Sequence, residues 1–314
     1  MISVEVYNQS MKPMWDEAVR GSKNGTFLHL RDYMDYHSDR FDDSSLLAVE
    51  DGKVVALLPA CIQGNKLHSH AGLTYGGWIV PLRHFDVNTM MLLWQSANAT
   101  MRKLGVSQLV YKPVPYIYHR YPAQEDLYAI FRAGGKIAAC NISSTIDLSC
   151  PLPFDRGNKR NINLAKRNNV IVGEDTRWDA FWTILETLLM EKYNTPPVHS
   201  LQEITMLKDK FPHNIKLYTA TTQGVPIAGV VMYYSEGQVA HCQYISSTPQ
   251  GRELKALPLL FDHLISKAKH DGYKYFDFGI SCEQGGLYLN QGLATQKCRL
   301  GGRGVVYNTF TIDF

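Results

Sequence analysis

The 314-residue sequence predicts an α/β protein whose mixed sheets belong to two consecutive units of the same design. Each half of the chain contains short apolar runs that alternate with polar residues and are joined by glycine turns, as in β-hairpins. Each set of hairpins is followed by an amphipathic helix and then by another strand. The same order recurs about 170 residues later, which indicates a repeated unit.

The first unit begins with a short strand pattern, MISVEVYNQ, and continues with two hairpins. SSLLAVEDGKVVALLPACIQ contains two strands joined at Asp51-Gly52, and another turn falls near Gly64-Asn65. NTMMLLWQSANATMRKLG is an amphipathic helix that ends at Gly105, where a residue with positive φ is favoured. The strand in SQLVYKPV follows, and we expect it to join the sheet in parallel.

The second unit repeats this order. IKLYTATTQGVPIAGVVMYYSEGQVAHCQYI contains three strands with turns at Gln223-Gly224 and Glu236-Gly237. The helix in LKALPLLFDHLISKAKHDG ends at Gly272, and the strand in YKYFDFGI follows. Between the halves, the two prolines of SCPLP indicate a linker. We therefore predict an N-terminal domain over 1–149 and a C-terminal domain over 150–314.

Composition and charge exclude several classes of protein. The net charge of +3 is too small for a protein that binds nucleic acid over its whole surface. The six cysteines form no C-x-x-C pair, which predicts reduced thiols and a cytoplasmic location. No apolar run approaches the roughly 18 residues of a membrane span. The N-terminus has no signal-peptide pattern, so we expect a soluble intracellular protein.

Two motifs suggest chemistry that their surroundings do not support. Asp277-Phe278-Gly279 is the tripeptide that binds magnesium in protein kinases, but no Gly-rich loop or His-Arg-Asp catalytic loop precedes it. His68 and His70 lie two residues apart on a predicted strand and so share a face, but no third metal ligand is evident. We therefore expect neither a kinase nor a metal site.

The repeated strand–helix–strand units resemble tandem GNAT (N-acetyltransferase) domains. Local sequence is similar to the Fem-type (FemAB/FemX-like) peptidyltransferase and acetyltransferase superfamily. The matching stretches of the first half are FLHLRDYMDYHSDRF, VALLPA and HSHAGLTYGG. Those of the second half are RGNKRNINLAKRNNV, FDFGIS and GLYLNQGLATQKCRLGGRGVVYNTF. The resemblance implies two tandem GNAT-like units, the C-terminal one carrying the transfer site.

The resemblance also implies three catalytic residues. Lys297, in GLATQKCRLGGRG, matches the lysine that Fem-type enzymes place near the reacting carbonyl, where a cation stabilises developing negative charge. We expect this lysine in a glycine-flanked loop outside the core. Asp277 ends the strand at which the cleft of a GNAT unit opens. Tyr244 lies on the neighbouring strand, and strand alternation places His241 on the opposite face, which leaves open which of the two faces the cleft.

GNAT domains bind the pyrophosphate of acyl-CoA on a Gly-rich loop before the main helix. The corresponding loop here is QGRELKA, which contains one glycine and one acidic residue. This departure leaves acyl-CoA and aminoacyl-tRNA both open as the donor. The predicted phosphate-binding residues are Gln250, Gly251, Arg252 and Lys255.

The segment 156–169 contains five basic residues and no acidic residue. Four of the basic residues recur at helical spacing and share one face. That face either binds a phosphate group of the substrate or is a solvated helix surface. The four residues are Arg156, Lys159, Arg160 and Arg167.

Further substrate-binding residues are predicted outside this helix. YKPVPYIYHRYP combines tyrosines with basic residues, which suits ring stacking and anion contact, although half-buried packing of a proline-stiffened loop is an alternative. HSHAGLTYGG contains paired glycines, which let the backbone approach a ligand closely. The predicted residues are Thr74, Tyr75, Gly76, Lys112, Tyr116, Arg120, His199 and Gly279.

The sequence therefore predicts a cytoplasmic acyltransferase that forms an amide bond between an activated acyl or aminoacyl donor and an amine acceptor. The expected acceptor is a small molecule, a nucleotide-linked sugar or a cell-envelope precursor. No Ser-His-Asp or Cys-His pattern is visible, so catalysis would depend on positioning and electrostatics. Two alternatives stay open: a catalytically inactive GNAT-fold binding module and a tRNA- or RNA-binding protein.

Overall fold

The computed structural model describes all 314 residues and divides them into two compact units. Unit 1 comprises residues 1–142, 282–289 and 306–314, and unit 2 comprises residues 143–281 and 290–305. The division therefore differs from the predicted boundary between residues 149 and 150. The last residues of the strand that precedes SCPLP pair with a strand of unit 2, so these residues belong to the second unit.

The first part of the chain forms eight strands and four helices. They are β1 (Ser3–Val6), α1 (Lys12–Gly21), α2 (Arg31–Met34), β2 (Asp42–Asp43), β3 (Leu46–Glu50), β4 (Lys53–Leu58), β5 (Cys61–Gln63), β6 (Lys66–His68), α3 (Val87–Lys103), β7 (Gln108–Tyr111), α4 (Glu125–Arg132) and β8 (Lys136–Asp147). The division between the units falls inside β8.

Unit 1 contains a small sheet with the order β1-β3-β4 and a second sheet in which β2, β5, β6 and β7 are neighbours in that order. β6 and β7 are parallel, as predicted, because helix α3 lies between them in the chain. Asp51-Gly52 forms the predicted turn, with φ values of 50° and 76°. The core of the unit includes Trp78, Leu93 and Leu109.

The remainder of the chain completes the molecule with six helices and eight strands. They are α5 (Arg156–Arg167), β9 (Ile171–Asp175), α6 (Trp178–Tyr193), α7 (Leu201–Lys210), β10 (Ile215–Thr222), β11 (Val225–Ser235), β12 (Val239–Ser247), α8 (Pro249–Glu253), α9 (Ala256–His270), β13 (Tyr275–Ile280), β14 (Cys282–Glu283), β15 (Tyr288–Leu289), α10 (Gln291–Arg299) and β16 (Arg303–Asp313).

In unit 2 the strand order is β8-β13-β12-β11-β10-β9. β9 to β12 are antiparallel neighbours, and β13 returns parallel to β12 after helix α9. The predicted order of meander, helix and parallel strand is therefore confirmed in both units. Helix α9 packs its apolar face on this sheet through Leu260 and Leu264, which are fully buried with Phe276 in the core.

The C-terminal strand corrects the predicted domain arrangement. Residues 306–314 belong to unit 1, where β16 pairs antiparallel with β7 and Phe310 is the register partner of Tyr111. The hairpin of β14 and β15 also belongs to unit 1. The predicted domain 150–314 is therefore not one continuous segment, since pairing between distant strands decides where the end of the chain lies.

Candidate active site

The neighbouring strands β12 and β13 separate in the middle of unit 2. Their parallel ladder consists of three register pairs, and the last of these is His241 with Asp277. β12 then continues to Ser247 and β13 to Ile280 with no further pair between them. β12 stays paired with β11 on its other side as far as Ser247. The separation therefore leaves an unpaired edge of β12 inside the unit.

Each strand is irregular directly after the His241–Asp277 pair. On β12, Cys242 faces Met232 and Tyr244 faces Val231, so Gln243 is an extra residue that forms a bulge. On β13, Asp277 faces Thr145 of β8 and Ile280 faces Ser143, so this strand also has an extra residue. Gly279 lies in that second irregularity with a φ of 78°, a conformation that glycine adopts readily.

The bulge at Gln243 changes which side chains share a face. His241 and Tyr244 are three positions apart, which on a regular strand predicts opposite faces. Their register partners on β11, Tyr233 and Val231, are two residues apart and so share a face. His241 and Tyr244 therefore lie on the same face, and the prediction of opposite faces is wrong because it assumed an unbroken alternation.

Asp277 is fully buried at the base of the separation and accepts three side-chain hydrogen bonds. Ser143 Oγ and Thr145 Oγ1 donate to Oδ1 over 2.5 and 2.7 Å. His241 Nδ1 lies 2.8 Å from Oδ2. The side chain of Asp277 is thus held by β8 and β12 together. It forms part of the wall of the site instead of projecting into solvent.

The hydrogen bonds determine the charge of Asp277. Burial alone raises its pKa, but the hydrogen bond and charge of His241, with the hydroxyls of Ser143 and Thr145, outweigh burial and lower the pKa. Asp277 is therefore a carboxylate and has no proton to donate. It follows that Nδ1 of His241 carries the proton of this hydrogen bond, and that Nε2 is the ring nitrogen that does not contact the carboxylate.

Lys297 lies in helix α10, not in a loop, and only 4% of its surface is exposed. Its ammonium donates to the carbonyl oxygens of Gly279 and Ile280 over 2.8 and 2.7 Å. The expectation of a loop residue outside the core is therefore wrong. The GLATQKCR segment forms a helix because the side chain of Asn290 caps it at Leu293 and no helix breaker follows until Gly301-Gly302.

Tyr244 is 9% exposed, and its hydroxyl is paired with His199. The backbone N–H of His199 donates to the Tyr244 hydroxyl oxygen over 3.3 Å, and His199 Nδ1 lies 2.5 Å from the same oxygen. Trp182 packs edge-on against the tyrosine ring, with 5.3 Å between ring centroids. The structure thus brings together Tyr244 and His199, which the sequence placed in separate regions.

A groove of about 600 Å³ opens in unit 2 at the carboxyl end of β12. The N-terminal turns of α5, α9 and α10 contribute to its wall, and Arg252, Lys255 and Arg299 place positive charge around it. Helix N-termini carry partial positive charge from unpaired N–H groups. The lining residues are Asp155, Gly157, Asn158, Asn161, Ser247, Gly251, Arg252, Lys255, Leu257, Pro258, Gln291, Gly292, Thr295, Gln296 and Arg299.

The predicted phosphate loop is mostly helical. Residues 249–253 form helix α8, capped by the Thr248 side chain at Gly251 N–H. The N–H groups of Leu254 and Lys255 bond to Gln250 and Arg252 carbonyls, so these amides are not available to a phosphate. Gln250 does not line the groove. The groups of this region that could bind an anion are therefore the backbone N–H groups at the start of α9 and the side chains of Arg252 and Lys255.

The predicted basic helix is present as α5, and its four basic side chains are exposed. None of them lines the groove; the residues of α5 that do are Gly157, Asn158 and Asn161. The buried side of the helix, with Ile162 and Ala165, packs in the core of unit 2. The exposed basic face is therefore separate from the groove. Both interpretations given above for Arg156, Lys159, Arg160 and Arg167 remain compatible with this placement.

In unit 1, β6 and β7 are the parallel strands that correspond to β12 and β13 of unit 2. The segment that follows β6 lies beside them. Ser69 N–H bonds to Val110, and Gly76 N–H bonds to the Lys112 carbonyl, so the segment after β6 runs along β7. A Cβ atom at Gly76 would collide with the Ser69 carbonyl. The interpretation of this glycine as a point of ligand approach is therefore wrong, because the close approach is to the chain itself.

The other residues predicted in unit 1 make local contacts. Lys112 donates its ammonium to the Leu73 carbonyl, and Arg120 donates to the Arg20 carbonyl over 2.9 Å. Tyr75 is buried and its ring contacts that of Tyr118 in a tilted arrangement, with ring centroids 4.4 Å apart. Thr74 and Tyr116 are exposed. These contacts favour the packing alternative for the YKPVPYIYHRYP stretch.

His70 does not continue the strand that contains His68, since its φ is 56° and β6 ends at His68. The predicted shared face of the two histidines is therefore wrong. His70 instead stacks on His37, with 4.9 Å between ring centroids.

Three residues of the site were not predicted from the sequence. For His241 the sequence left open whether it or Tyr244 faces the cleft, and Ser143 and Thr145 lie about 130 residues from Asp277 in the chain. The H-x-x-Y spacing of His241 and Tyr244 would place both side chains on one face only if the strand contained a bulge between them. No glycine or proline in the sequence marks that bulge.

The comparisons with known proteins agree with this architecture. Residues 160–285 match the model of the acetyltransferase (GNAT) domain family. That match contains β12, β13, Asp277 and the groove residues from Asn161 to Pro258. No curated protein matches the sequence.

Solved structures of low sequence identity share the whole fold. The structure of FemX superposes with a TM-score of 0.70 at 11% identity, covering 99% of this chain and 97% of that one. The C-terminal domain of a putative lysylphosphatidylglycerol synthetase from Agrobacterium fabrum gives 0.64 at 12%, covering 98% and 92%. A tandem GNAT protein from the clavulanic acid biosynthesis pathway gives 0.52 at 11%, covering 100% and 98%. The predicted tandem GNAT fold and its likeness to Fem-type proteins are confirmed.

Proposed function

We propose that this chain, which has the tandem GNAT fold of FemX-like proteins, is an acyltransferase that forms an amide bond between an activated acyl or aminoacyl donor and an amine acceptor. The observation that carries the proposal is the separation of β12 and β13 after the His241–Asp277 pair. An unpaired strand edge binds an extended ligand through its free N–H and C=O groups. An acyl chain or a peptide-like donor arm has the extended shape that such an edge accepts.

The groove supplies a place for the anionic part of the donor. Its wall contains the basic side chains of Arg252, Lys255 and Arg299. The first turn of α9 also lies on this wall, and the backbone N–H groups before Pro258 are at the N-terminus of that helix. A helix N-terminus of this length favours a phosphate group. Both donor classes are anionic: acyl-CoA carries a diphosphate at the other end of the pantetheine arm from its thioester, and aminoacyl-tRNA carries backbone phosphates beside its terminal nucleotide. The backbone N–H groups of Leu254 and Lys255 are hydrogen-bonded to carbonyls of α8. The basic side chains therefore contribute more to binding of the phosphate group than these backbone donors do.

The donor class and the acceptor class are part of the same proposal. The exposed basic face of α5 suits a longer polyanion, which favours aminoacyl-tRNA over acyl-CoA if it takes part in binding. We propose that the acceptor is a cell-envelope precursor or a nucleotide-linked sugar, as the resemblance to Fem-type proteins implies. The chain has no helix that is long and apolar enough to span a bilayer. We place the reaction in the cytoplasm, where both donor classes occur.

The test is a panel of donors and acceptors with two readouts. Acetyl-CoA, longer acyl-CoAs and charged tRNA are each mixed with UDP-linked amino sugars, and release of free thiol or uncharged tRNA is followed. Thermal unfolding is measured with each donor in parallel, since a ligand at a hundredfold its Kd stabilises by about 2.7 kcal/mol. Turnover with one donor class supports the proposal. Binding without turnover would identify an inactive binding module, and tRNA binding without deacylation would identify an RNA-binding protein.

A further inference from the structure

One pair of titratable groups lies where β12 and β13 separate, and neither of its residues lines the groove of unit 2. His241 and Asp277 are joined through Nδ1 and Oδ2, and the second carboxylate oxygen is held by Ser143 and Thr145. His241 Nε2 makes no hydrogen bond within the chain, and 13% of the side-chain surface is exposed. The ring lies over Gly279, where an added Cβ would be 3.4 Å from Cε1. A Cβ at position 279 would therefore be in van der Waals contact with the imidazole.

We infer that His241 is the general base of the transfer reaction and that Asp277 is the positioning residue that orients it, which rests on the acyltransferase function proposed above. The orientation follows from the hydrogen bonds. Asp277 is immobilised by two hydroxyl donors before it meets the histidine, so the carboxylate oxygen that faces the ring has a defined place. The ring is then held with its protonated nitrogen inward and its accepting nitrogen outward.

The proton transfers balance with either class of donor. The neutral amine of the acceptor attacks the acyl carbonyl, and His241 Nε2 takes a proton from the amine nitrogen as the C–N bond forms. The C–S bond of a thioester, or the C–O bond of an aminoacyl ester, then breaks. The imidazolium returns its proton to the departing thiolate or alkoxide, and His241 is regenerated in its starting form. No oxidant or further reactant is needed.

Three other titratable groups lie on elements adjacent to the pair. Cys242 follows His241 on β12, and burial raises the pKa of its thiol well above the usual range, so it stays neutral. Tyr233 of β11 is the register partner of His241. Lys297 of α10 holds its positive charge at the carbonyls of Gly279 and Ile280. Asp277 is the residue that holds Nδ1 of the imidazole, and it therefore sets the orientation of the ring.

The kinetic test uses His241→Asn, because the asparagine amide nitrogen occupies the place of Nδ1 and still donates to Asp277 while Nε2 is removed. We expect kcat/KM to fall by about 10²- to 10⁴-fold, the usual contribution of a general base, and the acid limb of its pH profile to disappear. His213→Gln, on an exposed histidine of unit 2, is the matched control and should keep the wild-type profile. Asp277→Asn should shift the acid limb to lower pH, because the imidazolium loses its anionic partner.

A second measurement does not depend on activity. Nitrogen-15 chemical shifts of His241 in the free protein should show the tautomer protonated at Nδ1, and Asp277→Asn should reduce the share of that tautomer, because an amide oxygen is a weaker acceptor than a carboxylate. A ring protonated at Nε2, or a His241→Asn variant with wild-type kcat/KM and an intact acid limb, overturns the inference. If the wild-type protein transfers no acyl group from any donor of the panel, the acyltransferase proposal and the base role fall together. If the wild-type protein is active and the variant equally so, only the base role falls.

Discussion

His241 and Asp277 are the last register partners of two parallel strands, and their side chains are hydrogen-bonded over 2.8 Å at the point where those strands separate. This pair is therefore the last pair of the ladder and lies at the base of the separation between the strands. A side-chain hydrogen bond at this position holds the two strands together immediately before they part. Changes to the groups around the pair should thus affect both stability and the proposed reaction.

Removing a hydroxyl donor to Asp277 should make the protein more sensitive to acid. The folded-state pKa of Asp277 is lowered, so its contribution to stability is present above the unfolded pKa and is lost as pH falls through the folded value. Thr145→Val or Ser143→Ala removes a hydrogen bond to the charged form, which raises the folded pKa, so this loss should begin at higher pH. We expect a cost of about 1.5–3 kcal/mol at pH 7. Urea unfolding between pH 7 and pH 3 measures both effects.

Ser266→Ala, on an exposed serine of α9, is the control for that series. It should leave the midpoint and its pH dependence at wild-type values. A Thr145→Val variant as stable as wild type across the whole range would contradict the network described for Asp277.

Lys297→Met should destabilise the fold as well as slow the transfer. The methionine fills the volume but leaves the Gly279 and Ile280 carbonyls without their donor, at a cost of about 1–3 kcal/mol. If the ammonium also stabilises charge on the reacting carbonyl, kcat and kcat/KM should fall together by about 10²- to 10³-fold. Lys297→Arg should recover little, because a guanidinium does not reproduce the geometry of a compact ammonium.

Urea unfolding and steady-state kinetics separate the two roles of Lys297. Lys269→Met removes an exposed lysine of α9 and should change neither quantity. A Lys297→Met protein that is destabilised but reacts at the wild-type rate would limit this lysine to supporting the end of β13.

Gly279→Ala should impair the proposed reaction more than its backbone strain alone explains. A residue other than glycine at a φ of 78° costs about 1–2 kcal/mol, and the new methyl group would contact the His241 ring. Gly272→Ala is the matched control, since its φ is 84° and nothing lies within 4 Å of the added Cβ. Both variants should lose similar stability in urea unfolding, and only Gly279→Ala should lower kcat/KM. Equal activity of the two would show that the His241 ring tolerates the methyl group.

Arg160→Ala should raise KM for the donor if the basic face of α5 binds phosphate. Exposed charges are screened beyond about 8–10 Å at 0.1–0.15 M salt, so the difference from wild type should shrink as salt is added. Arg102→Ala removes an exposed arginine of α3 in unit 1 and serves as the control. Unchanged KM at low salt would identify the face as a solvated helix surface. The measurement is a KM series from about 20 to 500 mM salt.

The sequence predicted the repeated architecture because its signals are local. Turns at Asp51-Gly52 and Gln223-Gly224, helix ends at Gly105 and Gly272, and the apolar faces of α3 and α9 all depend on residues near one another in the chain. It also led to Asp277, Tyr244 and Lys297, through a resemblance of whole stretches. The role of each of these residues in catalysis stays a prediction.

What tertiary structure decided was the surroundings of those residues. Strand pairing placed Ser143 and Thr145 beside Asp277, and a bulge without a sequence marker turned His241 to the face of Tyr244. Strand pairing also assigned residues 306–314 to unit 1. Local turn and helix propensities are written in neighbouring residues, whereas register, bulges and buried hydrogen bonds depend on which distant strands come together. The sequence by itself thus determined the kind of fold, and packing between distant segments determined the geometry of the site.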